Sequence, residues 1–176
     1  MGPPGSGKGT IGKALSAWLG VPHVSSGQLL RASVAAGDPY GIGPGLARGE
    51  FAPDEVVAKV VAERIGDGFI LDGYPRTTEQ AGHLDRILAA SGQAVEAVLD
   101  LEVPDDEVRA RLARRATLEG RSDDTPATVE TRLATWHSEA GALRAHYGDR
   151  LHRVPAVGAP GEVVERAKAV LLAAGA

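Results

Sequence analysis

Apolar and polar positions along this chain fall into two alternating rhythms. Ile11, Leu15, Trp18 and Leu19 recur at helical spacing, which predicts a helix over 10–19 stopped by Gly20 and Pro22. The short apolar-leaning stretch 21–25 reads as a strand, and 27–36 as a second helix closed by Gly37, Asp38 and Pro39. Residues 40–50 are rich in glycine and weakly patterned. Pro53, Asp54 and Glu55 open a helix running to about residue 65, with proline in its first turn and acids complementing the dipole. Residues 69–72 read as a buried strand ending on the carboxylate of Asp72. Helices are expected over 77–90, 104–115, 127–147 and 161–173, strands over 94–103 and 151–156, and a polar break over 119–125. Strands that alternate with helices imply an α/β fold, a parallel sheet between helical layers.

Active sites of such sheets lie at the carboxyl ends of the strands. Ser25, Ser26, Asp72 to Arg76 and Gly158 all fall at such ends. The first ten residues, Met1-Gly-Pro-Pro-Gly-Ser-Gly-Lys-Gly-Thr10, form a glycine-rich cradle for phosphates. Glycines let the backbone wrap a polyphosphate without Cβ clashes, and the following helix turns its N-terminus toward the anion. Lys8 supplies a mobile charge for the β- and γ-phosphates. Gly9 fills the usual Ser/Thr slot of this loop, and the hydroxyl comes one residue later, at Thr10. The pattern also asks for a strand before the loop, and only Met1 precedes it here.

Composition narrows the classes. The 176 residues suit one domain, and a net charge of −4 gives no electrostatic footprint for nucleic acid or an anionic membrane. A hydrophobic fraction of 43% indicates a globular chain. Zero cysteines rule out disulfides and any cysteine-ligated zinc. With no apolar span and no signal peptide in the sequence, a cytoplasmic protein is expected.

Phosphoryl transfer needs charge neutralisation and alignment, hence a lysine, several arginines and a magnesium-organising carboxylate. Lys8, Arg31, Arg76, Arg111, Arg115, Arg121 and Arg132 are available, and Asp72 is the carboxylate best placed at a strand end. Arg111 and Arg115 share a helix face. Dipole compensation at the end of that helix explains them equally well, together with Arg109 and Arg114. Gln80 completes a capping box with Thr77, and Asp123 with Asp124 reads equally as a solvated turn. Trp18, Trp136 and Tyr147 sit at apolar helical positions that suit packing.

Over nearly its whole length the chain resembles the adenylate kinases, members of the nucleoside monophosphate kinase family. Gly2 to Thr10 matches that family's GxPGxGKGT loop, including the Gly9-Thr10 order, and 23–31 resembles its ST-G-D-LLR segment. Residues 49–55 resemble the return from its acceptor-binding subdomain, and 72–80 resemble DGFPRxxxQ. Arg111, Arg115, Arg121 and Arg132 look like its phosphate-clamping set, and 120–124 like its short lid without a zinc-binding insertion.

The resemblance implies a P-loop kinase with strand order 2-3-(1)-4-5, strand 1 truncated, an acceptor subdomain at 25–54 and a lid at 116–126. It implies the reversible reaction of ATP with AMP giving two ADP, with magnesium and without zinc, in a monomer. Gly5, Ser6, Gly7, Lys8, Gly9, Thr10, Arg111 and Gly158 would bind ATP. Ser26, Arg31, Gly73, Arg76, Gln80, Arg121 and Arg132 would bind AMP. Lys8, Arg111, Arg115, Arg121 and Arg132 would neutralise the transferred group. Asp72 would hold magnesium through water, with Thr10 a further candidate ligand.

Three departures stand out. Gln28 replaces an aspartate, Ala140-Gly-Ala142 replaces Thr-x-Pro, and the family's first strand is absent before Gly2. The expectation is that in-frame codons upstream of Met1 encode a short apolar strand. Two other readings stay open: a kinase for CMP or UMP, and a nucleotide-binding protein with impaired catalysis.

Overall fold

The apolar positions singled out by periodicity close into two small parallel sheets with helices packed around them. A computed structural model describes residues 1–119 and 124–175. Strand β1 (His23–Ser25) pairs in parallel with β2 (Ile70–Asp72), Val24 opposite Leu71, and β3 (Val98–Glu102) pairs in parallel with β4 (Leu151–Pro155), Asp100 opposite Arg153. The helices are α1 (Lys8–Leu19), α2 (Ser26–Ala35), α3 (Gly43–Ala47), α4 (Asp54–Ala62), α5 (Thr78–Ala90), α6 (Asp105–Glu119), α7 (Pro126–Tyr147) and α8 (Pro160–Ala174). This is the helix-rich α/β architecture that the alternation implies. No described helix is long and apolar enough to cross a membrane.

The two largest buried clusters flank the sheets. Ile11 and Leu15 of α1 pack with Leu101, Val154 and the α8 residues Val163, Ala167 and Leu171. On the other side Leu30, Ile42, Val57, Val61, Tyr74, Leu84 and Leu88 bind α2, α4 and α5 to β2. Helix α1 ends as its sequence predicts, with Gly20 left-handed at φ 72° and its N–H donating to Ser16 O.

Several boundaries differ from expectation, and three of them have a local reason. Residues 40–50 contain α3, whose start is capped by Asp38: its carboxylate oxygens accept from the amides of Ile42 and Gly43 at 2.8 Å each. Helix α6 continues past Arg115 to Glu119, because no glycine or proline interrupts 105–119. Strand β3 begins at Val98 rather than 94, since β4 offers its first partner, Leu151, only there.

No ladder joins β2 to β3 among the described residues. The N-terminus reaches the edge of β3 instead. The Met1 amine donates to Leu99 O, and Leu101 N donates to Met1 O at 3.0 Å. A cavity of about 1070 Å³ runs from the phosphate loop down between the two sheets to Leu15, Leu84, Tyr147 and Leu171.

Candidate active site

The glycine-rich segment folds as a tight loop that feeds directly into α1. Ser6 N donates to Pro3 O at 3.2 Å and Ile11 N to Gly7 O at 3.0 Å. Gly5, at φ 75°, lies so close to α6 that a Cβ would sit 2.9 Å from Leu112 Cγ. Helix α1 begins at Lys8, two residues earlier than the periodicity suggests, with Gly7 as N-cap, no side chain capping it and no acid in its first turn. Its leading amides and dipole therefore stay available to an anion.

Lys8 folds back over this loop. Its Nζ donates to Gly2 O at 2.8 Å and Pro3 O at 2.6 Å, with Ser6 Oγ at 3.4 Å. Burial depresses its pKa to about 7, against the pull of Asp72. Asp72, at the carboxyl end of β2, faces the start of α1, where a Cβ on Gly9 would stand 3.5 Å from its Oδ2. The same oxygen accepts from Ser25 Oγ at 3.2 Å and lies 3.6 Å from His23 Nε2.

Three of the four arginines expected to clamp phosphate border this cleft, and the fourth, Arg121, lies outside the described residues. Arg111, Arg115 and Arg132 line the large cavity together with Lys8, Thr10, Gln28 and Asp72. Arg111 Nε donates to Glu107 at 2.7 Å, and its Nη2 to Ala156 O at 2.9 Å. Arg115 grips Asp124 with two bonds of 2.6 and 2.7 Å, and Arg132 reaches the same carboxylate at 2.9 Å. Asp124 is thus a buried strut between two arginines, not the solvated turn that its sequence also allowed. Arg115 lies a full turn before the end of α6, away from the last carbonyls where dipole compensation acts. Arg109, outside the set, instead makes an exposed pair with Glu130 of α7 at 2.6 Å.

A smaller cavity of about 60 Å³ opens beside the first and is lined by Ser26, Arg31, Gly73, Arg76, Gln80 and Arg132, each expected to face the acceptor. Gly73, at φ 78°, lets the chain pass Ser26, whose Oγ lies 2.8 Å from where a Cβ would be. Arg76 donates from Nε to Gly73 O at 2.7 Å and stacks 4.8 Å from the Phe51 ring. Burial and then Arg132 lower its pKa to about 10. The Gln80 amide accepts from Arg76 N at 2.8 Å and donates to Asp54 Oδ1 at 2.6 Å. Thr77 caps α5 by accepting from Gln80 N, but the Gln80 side chain does not return to close the capping box.

Some expectations end elsewhere. Gly158 lies exposed after β4 and does not line the cavity. Arg121, and most of the expected lid at 116–126, fall on residues 120–123, outside the described residues. Trp18 is exposed beneath Lys168, whereas Tyr147 is buried. The sequence reading passed over Phe51 and Asp54. The one signal for them was their position in the stretch 49–55, already tied to the acceptor segment.

Comparison with known proteins covers nearly the whole chain. A model of the adenylate kinase family matches residues 1–151. The chain belongs to the adenylate kinase family. It is 43% identical to an adenylate kinase of Micrococcus luteus over 94% of this chain and 85% of that protein. It is 41% identical to one from Thermus thermophilus, over 97% and 94% of the two chains. An adenylate kinase of Xanthomonas campestris pv. campestris is 43% identical, with 94% of each chain covered. As a member of this family the chain is a nucleoside monophosphate kinase, a phosphotransferase.

Proposed function

We propose that this protein transfers a phosphoryl group reversibly from ATP to AMP, giving two ADP, with the two cavities as donor and acceptor subsites. The observation that carries the assignment of sites is their junction. Asp72, Gly73, Arg76 and Arg132 border the large cavity, and the last three also border the small one. Both subsites come from one chain, so a monomer suffices. The segment 25–54 supplies the acceptor side, and 116–126 is assigned to the lid.

The loop amides and the start of α1 bind the donor's phosphates, and Lys8 leaves its loop carbonyls for them. That exchange suits a lysine held near neutrality by burial, because an anion restores its charge. Arg115 and Arg132, aimed by Asp124, face the charge that spreads over the equatorial oxygens in transfer. Arg31 and Arg76 hold the acceptor phosphate, and Gln80 reads the base edge. No protein nucleophile is needed, since alignment does the work.

The donor set fits a magnesium ion carried mainly by nucleotide and water. Asp72 and nearby hydroxyls supply a few oxygens, and no cluster of three or more metal-binding side chains occurs among the described residues. Asp72 would hold the ion through water, with Thr10 beside it, and the ion would neutralise phosphate charge. Gln28, exposed on α2 at the same cavity, adds hydrogen-bonding capacity without charge.

The test is a coupled assay of ATP with AMP, CMP, UMP and GMP. AMP is preferred at least about tenfold, equivalent to about 1.4 kcal/mol of differential transition-state binding. Faster turnover of CMP or UMP would overturn the adenylate assignment, and nucleotide binding without transfer would overturn the enzyme.

A further inference from the structure

We propose that Arg166 of α8 is a positioning residue for the donor subsite: it fixes the loop after β4, whose Ala156 carbonyl holds Arg111. Three consecutive carbonyls of this segment end on two guanidiniums. Arg166 Nη1 donates to Pro155 O and to Val157 O at 2.8 Å each, and Arg111 Nη2 donates to Ala156 O at 2.9 Å. Such alternation is that of an extended chain, whose successive carbonyls point to opposite sides. Ala156 turns both its groups toward β3 and α6, since its N–H donates to Glu102 O at 2.9 Å. The flanking carbonyls face α8, across an edge of β4 to which no strand is paired among the described residues.

The segment leaves the ladder at Pro155 and reaches Gly158 at φ 115°. Between them the Ala156 amide makes the last backbone bond to β3, and Arg166 holds the opposite side. Arg166 is itself aimed from within its helix. Glu162 Oε2 lies 3.6 Å from its Nη2, and the same oxygen accepts from Ala159 N at 3.1 Å. A Cβ on Gly158 would stand 2.6 Å from Glu162 Oε2 and 3.3 Å from Arg166 Nη2, so glycine is what lets this pair close over the loop. The consequence falls on Arg111, which borders the large cavity. Its Nε donates to Glu107 at 2.7 Å and its Nη2 to Ala156 O, and together these bonds fix the guanidinium plane. A guanidinium already held loses less rotamer freedom when it meets a nucleotide. If the loop turned, Arg111 would keep Glu107 alone.

The inference rests on Arg111 as an ATP-binding residue, and its test separates the two claims. The β,γ-imido analogue of ATP and AMP are each titrated onto Arg166→Ala, Arg111→Ala and the double variant. Lys168→Ala is the control on the same helix, where Lys168 pairs with Glu165 and covers Trp18. Arg166→Ala weakens the analogue about fivefold, the size of one net hydrogen bond, and leaves AMP affinity unchanged. Lys168→Ala changes neither. In the double variant the loss equals that of Arg111→Ala alone, because Arg166 acts through that residue. Additive losses overturn the proposal, as do equal losses for analogue and AMP, or a lower urea midpoint with both affinities intact. If Arg111→Ala weakens the analogue and Arg166→Ala does not, the positioning role falls while the donor assignment stands. If Arg111→Ala changes nothing, both fall. Should Arg166→Ala not fold, Arg166→Met, which keeps the apolar stem without its donors, takes its place in the same cycle.

Discussion

The acceptor cavity and the slot between the sheets border the same strand, β2, yet differ in how their walls are completed. In the acceptor cavity side chains close the space to about 60 Å³, and Gln80, Arg76 and Asp54 bond to one another or to loop backbone. The slot is the deep end of a cavity of about 1070 Å³ that also takes in the phosphate loop and the cleft arginines, and there the edges of β2 and β3 face each other without a ladder among the described residues. The contrast follows from sheet geometry. Side chains stand perpendicular to a sheet, so they can fill a pocket above its carboxyl edge but not a gap within its plane. A site made of side chains can therefore be locally well formed beside two sheets that no ladder joins among the described residues.

Lys8 sits where the two regions meet, and its replacement separates them most sharply. Lys8→Ala should slow transfer by about 10³-fold, roughly 4 kcal/mol, with little loss of stability. Its charge is already disfavoured by burial, so removing it costs the fold little. Parallel turnover and urea-midpoint measurements check this, and matching losses in both would make the lysine a structural part of the loop.

Asp124→Ala follows in size. It removes the carboxylate, without exposed surface, that the guanidiniums of Arg115 and Arg132 share. The expected loss is about 3 kcal/mol of stability, with slower transfer. Arg109→Ala, which breaks an exposed pair with Glu130, should stay within about 0.5 kcal/mol. Similar effects at the two positions would mean that the cleft arginines are ordinary surface charge.

The acceptor cavity was far more legible in the sequence than the slot's walls. Ser26, Arg31, Gly73, Arg76 and Gln80 lie in two short motifs whose spacing carries into space almost unchanged. Asp124 was not legible. It stands in a polar break, and its burial depends on α6 and α7 meeting at a distance that no local pattern encodes. Helix α3 was hidden because its start is fixed by a side chain, Asp38, outside the helix. The slot's walls were legible only as the strands expected over 69–72 and 94–103. Which backbone groups face the slot depends on the register of β3 against β4, and register is a property of pairs.

A pH titration sharpens the slot's side of the contrast. The Met1 amine has a folded pKa of about 6 against an ordinary 8.0. Between those values the unfolded chain binds the proton more readily, so this group makes stability rise with pH from 6 to 8 and fall as pH drops through the same window. The expected span is about 2–3 kcal/mol. Lys8 adds a rise of the same sign above pH 7, but it is common to both proteins and cancels in the comparison. Urea midpoints of the chain and of a variant with six Gly and Ser residues joined in front of Met1, taken between pH 6 and 8, isolate Met1. Identical slopes would show that the amine is not desolvated at the edge of β3.

The smallest expected effect tests the acceptor cavity. Gln80 is buried and held at both ends, its oxygen by Arg76 N and its nitrogen by Asp54. Reading a base edge requires it to exchange at least one of these bonds for one to the ring. The net gain is then a difference between two good hydrogen bonds, on the order of 1 kcal/mol. Gln80→Leu should erode the preference for AMP over CMP and UMP by about tenfold and leave ATP affinity unchanged. Asp54→Asn keeps a partner for Gln80 but removes the charge that holds its amide, so it should shift the AMP KM while Lys8 and the donor side are untouched. If Gln80→Leu lowers the unfolding midpoint while acceptor preference stays at its original value, the glutamine serves only to brace α5 against Asp54, and base selection lies with other residues of the cavity.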